Sequence, residues 1–90
     1  MSTTTITATP ADGWLQLYAG ATASPIAVEK ASGTSSAYLA IGAAAPDIAA
    51  GHAIANSELK NVILGDGESL YVRCVDALSP TAENLFIITD

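Results

Sequence analysis

A chain of 90 residues holds a single domain, one that buries only about 60–65% of its unfolded surface, so its stability stays modest unless it assembles. Half of the residues are hydrophobic, only 13% are charged, and the mean hydropathy is +0.39, which excludes a disordered tail. Three basic against nine acidic residues, for a net charge of −6, exclude nucleic-acid binding by counterion release and attraction to an anionic membrane surface.

Turn-forming residues recur at short intervals and mark out short segments rich in β-branched and aromatic residues, the pattern of an all-β chain. The first segment, Ser2 to Thr9, is almost all threonine with Ile6 as its one large apolar residue. Threonine favours extended backbone and adds little core, so residues 1–10 read as an edge strand or an extended arm. Pro10-Ala11-Asp12-Gly13 turns the chain into Trp14 to Ala19, where Leu15 and Leu17 oppose Trp14, Gln16 and Tyr18. Ile26 to Lys30 and Ala37 to Ile41 follow as strands, separated by the turn-rich Ala31 to Ser36. Ala43 to Ala55 is ambiguous: alanine favours helix, but Pro46, Gly51 and His52 interrupt it. It reads as a loop with one helical turn, or as a short strand at His52 to Ala55.

Leu59 to Leu64, the Gly65-Asp66-Gly67 connection and Glu68 to Val75 read as a β-hairpin, with glycine available for positive φ in the turn. On the return strand Leu70, Val72 and Cys74 share the face expected to point inward, and Tyr71, Arg73 and Val75 share the other. The last strand, Leu85 to Thr89, is apolar on both faces through Leu85-Phe86-Ile87-Ile88. Such a strand is covered on both sides, by a layer of its own domain or by a partner.

No residue set carries chemistry. Cys74 is the only cysteine, so the chain has no internal disulfide and no cysteine-based zinc site; its place on an inner strand face points to an inert thiol. Ser57-Glu58-Leu59-Lys60 matches the Ser-x-x-Lys spacing of acyl-enzymes, but the companion motifs are missing and the segment enters a strand. Gly65-Asp66-Gly67-Glu68 precedes a strand where a phosphate loop needs a helix, and it supplies two carboxylates where calcium needs more oxygens. His52 is the one histidine and has no partner nucleophile in sequence, and the acidic residues are scattered through turns as solvating charges. The first residues lack the basic cluster and apolar run of a secretory signal, and the alanine-rich Ala37 to Ala55 is too weakly apolar to span lipid.

Three runs carry a resemblance: Thr3-Thr4-Thr5-Ile6-Thr7-Ala8-Thr9-Pro10, Gly13-Trp14-Leu15-Gln16-Leu17 and Gly67-Glu68-Ser69-Leu70-Tyr71-Val72-Arg73. Together they resemble small structural proteins of tailed bacteriophages and prophages, of the capsid decoration or cement type. The resemblance implies a protein without catalysis or cofactor, made in the bacterial cytoplasm and carried on the virion. Its expected partners are the major capsid protein and copies of itself as a dimer or trimer, with no nucleic acid and no membrane. The interface candidates are Thr3, Thr5, Ile6, Thr7, Trp14, Tyr18, Tyr71 and Phe86. The expected fold is a single all-β domain over residues 1–90, a small antiparallel β-sandwich or β-barrel. The other reading is a small binding module, tail- or fibre-associated, in which Trp14 and the tyrosines form a platform for a carbohydrate or a protein.

Overall fold

The structure, a computed structural model, describes residues 3–20, 24–46, 51–76 and 78–90. Its strands are β1 (Thr3–Ala8), β2 (Trp14–Ala19), β3 (Ser24–Ser32), β4 (Ser36–Gly42), β5 (His52–Ile54), β6 (Leu59–Leu64), β7 (Ser69–Val75) and β8 (Asn84–Thr89), with one 3-10 turn at Pro10–Asp12. They form two four-stranded antiparallel sheets, β1-β8-β3-β6 and β2-β7-β4-β5. Within these sheets β1 pairs with β8, β2 with β7, β3 with β6 and β4 with β5. That nesting is a long antiparallel ribbon rolled up on itself, and the β3–β8 and β4–β7 pairings complete the two sheets. It is the jelly-roll arrangement of a β-sandwich. The sheets are open, so the barrel alternative falls away.

Strand periodicity sets the core. Ala8, Ile26, Val28, Leu64, Phe86 and Ile88 from the first sheet meet Leu17, Ala37, Leu39, Ile54, Leu70, Val72 and Cys74 from the second, all buried. Leu70, Val72 and Cys74 point inward as their spacing requires. Phe86 and Leu70 are fully buried, and each side chain of this kind contributes about 1.5–3 kcal/mol of transfer free energy.

The nested order corrects the hairpin expected over Leu59 to Val75. A turn does form, with Glu68 N donating to Gly65 O at 3.1 Å and Gly65 N donating to Glu68 Oε1 at 2.7 Å. Yet β6 pairs with β3 and β7 pairs with β2 and β4, in the opposite sheet. The turn is a corner between sheets. The cause lies at its two ends: Leu64 and Leu70 are both fully buried, and they enter the core from opposite layers. The Thr-rich segment is a paired strand and not a free arm, since β1 is in register with β8 at six positions from Thr3↔Thr89 to Ala8↔Asn84. Of Ala43 to Ala55, the short strand is realised as β5, and residues 47–50 lie outside the described residues.

Two buried polar side chains tie the corners. Asn84, fully buried, accepts from Ser35 N at 3.1 Å and donates to Ala8 O at 3.3 Å and Ala82 O at 3.2 Å. Gly33 lies against it: a Cβ there would stand 2.1 Å from Asn84 Oδ1, and its φ of +125° already disfavours a side chain. Lys30, 2% exposed, donates to Gly33 O at 3.2 Å and to Asn56 Oδ1. Burial pushes its ammonium below the usual lysine value, against a smaller opposite pull from Cys74. Among the described residues no buried side-chain nitrogen or oxygen lacks a hydrogen-bond partner.

Candidate interaction surface

The β1-β8-β3-β6 sheet turns one face to the core and the other outward. Its register builds the outer face row by row. Thr5, Ile87, Glu29 and Leu59 lie side by side across all four strands, and Thr3, Thr89, Ala27 and Asn61 form the next row. Thr7 stands beside Leu85 at one end, and Pro25 beside Ile63 at the other. Glu29 is the only charge in these rows. Outside the strands, Asp12, Glu58, Asp66, Glu68, Asp76, Glu83 and Asp90 lie in the connections and at the end of the chain. The acidity is therefore carried by the rim, and the sheet face is left nearly uncharged. Leu59 and Ile63, on either side of Asn61, are 59% and 79% exposed, a large apolar exposure for two outward positions of one strand.

Among the interface candidates, Thr3, Thr5 and Thr7 stand exposed on this face. Ile6 alternates to the inner side and packs against the core. Phe86 is fully buried and Tyr71 is 8% exposed, which corrects their assignment to an interface: both are closed off within the subunit itself. Leu59, Asn61 and Ile63 were not among the candidates. Their period-2 alternation is plain in the sequence, but a hairpin reading pairs that strand with β7 and hides that it ends a sheet.

On the opposite sheet, the register places Arg73 between Trp14 and Tyr38. The chain ahead of β5 closes on them: a Cβ on Gly51 would sit 3.2 Å from the Trp14 ring and 3.2 Å from Tyr38 Cβ. Tyr18 does not share that face. A bulge between Gln16 and Tyr18 sets Tyr18 opposite the inward Leu70, where it packs against the core. Its hydroxyl donates to Asp90 Oδ2 at 3.0 Å, and this bond, with desolvation and the carboxylate's charge, raises the phenol above the usual tyrosine value. Trp14, Tyr18 and Tyr71 thus form no common aromatic platform.

Two clefts are formed by the described residues. One, of about 550 Å³, runs between Thr34–Tyr38 and Ala53–Asn56 with Lys30 at its side, and the Lys30 ammonium there is already engaged by Gly33 and Asn56. The other, of about 340 Å³, is lined by Leu39, Ile41, Val62 and Leu70 and rimmed by His52, Lys60 and Asn61. Neither brings a nucleophile together with a base. Ser57 sits at φ 64° in a turn, and Lys60 pairs with Glu58 at 3.2 Å, so the Ser-x-x-Lys spacing gives no helical nucleophile–base pair. Among the described residues no group of His, Cys, Asp and Glu could hold a metal ion, and no helix is long and apolar enough to cross a membrane.

Compared with known proteins, the chain matches no family model, and no curated protein or solved structure matches it.

Proposed function

We propose that this protein is a non-catalytic structural protein of a virion, a decoration or cement protein that binds the outside of a bacteriophage capsid and bridges neighbouring copies of the major capsid protein. The observation that carries the reading is the outer face of the β1-β8-β3-β6 sheet, with threonine, Leu85, Ile87, Leu59 and Ile63 around a single Glu29. Short hydroxyl side chains with half-buried and exposed aliphatics permit close approach of another surface without desolvating a row of charges. The resemblance of the Thr-rich start, the Gly13–Leu17 run and the Gly67–Arg73 run to short phage β-proteins points the same way.

Four strands about 4.8 Å apart, taken over about six residues each at about 3.3 Å per residue, project an area of roughly 380 Å². Side-chain relief enlarges this, yet one copy still presents less than the ~800 Å² per partner of an ordinary stable interface. Strength comes from repetition, since contacts that are weak singly act together at every joint of a shell.

The test compares capsids with and without the protein. Particles lacking it open at lower temperature, adding it back restores them, and Thr3→Asp/Thr5→Asp protein, charged on the exposed face, fails to restore them while keeping its own melting point. Virions that contain none of this chain, or a few copies at the tail only, overturn the reading.

A further inference from the structure

The four edges of the sandwich are guarded unequally. In the β2-β7-β4-β5 sheet one edge, β5, is only three residues long, and the other, β2, carries the Gln16/Tyr18 bulge. Short strands and bulges are the usual protections against edge-to-edge pairing. In the other sheet neither edge has these protections: β1 and β6 each run six residues with no proline and no register shift, but β1 is lined outward by threonine, whereas β6, Leu59–Leu64, exposes Leu59 and Ile63. Its one cation, Lys60, is paired with Glu58.

We propose that β6 pairs antiparallel with β6 of a second copy of this chain, joining two four-stranded sheets into one of eight strands. The sequence of β6 is self-complementary about Asn61. Residues facing each other across an antiparallel pair lie on the same face of the sheet. A twofold axis through Asn61 therefore sets Asn61 against its own copy, Leu59 against Ile63 and Lys60 against Val62. Both exposed aliphatics find an aliphatic partner, the two amides can hydrogen-bond, and no two like charges stand opposite. A register shifted by two residues breaks this: with the axis through Val62, Lys60 faces Leu64 and Leu59 overhangs the strand end. The occupant is a second copy because the strand supplies its own complement in hydrophobicity and charge. This dimer does not rest on a capsid role. It would double the outer face described above on one continuous sheet.

Sedimentation velocity on the purified full chain, over a concentration series and without capsids, reads the oligomer. The expected species is twice the 9.1 kDa chain. Leu59→Lys/Ile63→Lys protein, which sets lysine against lysine at both pairs, sediments as monomer with an unchanged circular dichroism spectrum. Mixed with Leu59→Glu/Ile63→Glu protein, it regains the dimer. Register is read by mild oxidation: Asn61→Cys protein forms a disulfide-linked dimer at least tenfold faster than Leu59→Cys protein, because only position 61 meets its own copy within bridging distance. Both cysteines are outward, and the native Cys74 is buried. A monomer at every concentration, a dimer that survives the double lysine substitution, a trimer or open chain built by β1 meeting β6, or equal cross-linking at 59 and 61 each overturns the proposal.

Discussion

Asn84 is where the interior is most exposed to a single change. Replacing it with leucine keeps roughly the same shape and removes every polar contact. Ser35 N loses its 3.1 Å acceptor, and Ala8 O and Ala82 O lose donors at 3.3 and 3.2 Å. Ala82 is partly exposed and can turn to water, so the first two dominate; Ser35 and Ala8 are 5% and 1% exposed. Each buried group left unpaired costs about 1–3 kcal/mol, so with two such groups Asn84→Leu loses about 2–6 kcal/mol. A domain of this length is stable by only about 5–13 kcal/mol, and the loss lowers Tm by at least about 8 °C. Asn84→Asp adds a signature in pH. The carboxylate accepts from Ser35 N but faces two carbonyls it cannot donate to, in a site with no exposure. Burial raises its folded pKa above the unfolded value of about 3.9. A raised carboxyl contributes its stability when protonated and loses it as pH rises through the folded pKa. The deficit of Asn84→Asp relative to wild type is therefore larger at pH 7 than at pH 4. Gly33→Ala, whose Cβ would strike Asn84 Oδ1 at 2.1 Å and Cγ at 2.6 Å, couples to the same site: with Asn84→Ala it costs less than the sum, by about 0.5–3 kcal/mol. Urea unfolding followed by the fluorescence of Trp14, the single tryptophan, measures each of these variants. An Asn84→Leu protein within 1 kcal/mol of wild type, on the scale of an ordinary surface change, refutes the argument.

The Cys74 thiol is 3% exposed and burial pushes its pKa up, with a smaller opposing effect of Lys30, so disulfide reagents label it at least about 100-fold more slowly in the native protein than in urea, as thiolate chemistry requires; equal rates would place it outside the core. The Ala55 N–H donating to Glu58 Oε1 at 2.8 Å, and secondarily Lys60, hold the Glu58 carboxyl below its ordinary value. A depressed carboxyl contributes stability that is present above the unfolded value of 4.5 and lost as pH falls through the folded pKa. Glu58→Gln accordingly flattens the acid limb of a Tm-versus-pH curve below that value and changes little at pH 7 beyond the lost ion pair. Deleting residues 1–8 removes the strand that pairs with β8 at six positions and the Ala8 O that Asn84 donates to; thermal unfolding of the truncated chain shows a much lower Tm, whereas an unchanged Tm would make β1 an appendage.

Much of the strand content is legible in the sequence because it follows from period-2 alternation between turn residues. Trp14–Ala19 and Leu59–Leu64 are strands at the bounds the pattern sets, and Leu70, Val72 and Cys74 are buried as it requires. What alternation does not contain is pairing. The Gly65–Glu68 turn has hairpin chemistry, yet the strands on either side enter different sheets, because nesting commits β6 to β3 and β7 to β2. That single ambiguity decides which strand is an edge, and with it the surface: read as half of a hairpin, Leu59 and Ile63 are cross-strand partners of β7, and read in the roll they face solvent. The aromatic residues fail for a related reason. One bulged residue in β2 inverts the alternation after Gln16, so Trp14 and Tyr18, an even number of positions apart, turn to opposite sides. Phe86 shows the limit of reading a doubly apolar strand: of Leu85–Ile88 only Leu85 and Ile87 reach the outer face, and Phe86 is closed into the core.

Placement of charge separates two demands on so apolar a chain. Nine acidic residues keep a small protein soluble by mutual repulsion, but the same charges on a contact face oppose docking and cost desolvation. Among the described residues Glu29 is the only acid within a strand, and seven others stand in connections or at the end of the chain. Around a sandwich whose principal extents are 38 × 27 × 16 Å, those positions ring the sheets. The repulsion between free subunits is therefore strongest rim to rim and weakest face to face. Neither edge of the β1-β8-β3-β6 sheet, β1 or β6, is short or bulged, and β6 is the one that carries the strongly exposed aliphatics beside the nearly uncharged face. An approaching second surface meets the least electrostatic resistance at that face and edge, where the exposed side chains have the most apolar area to bury.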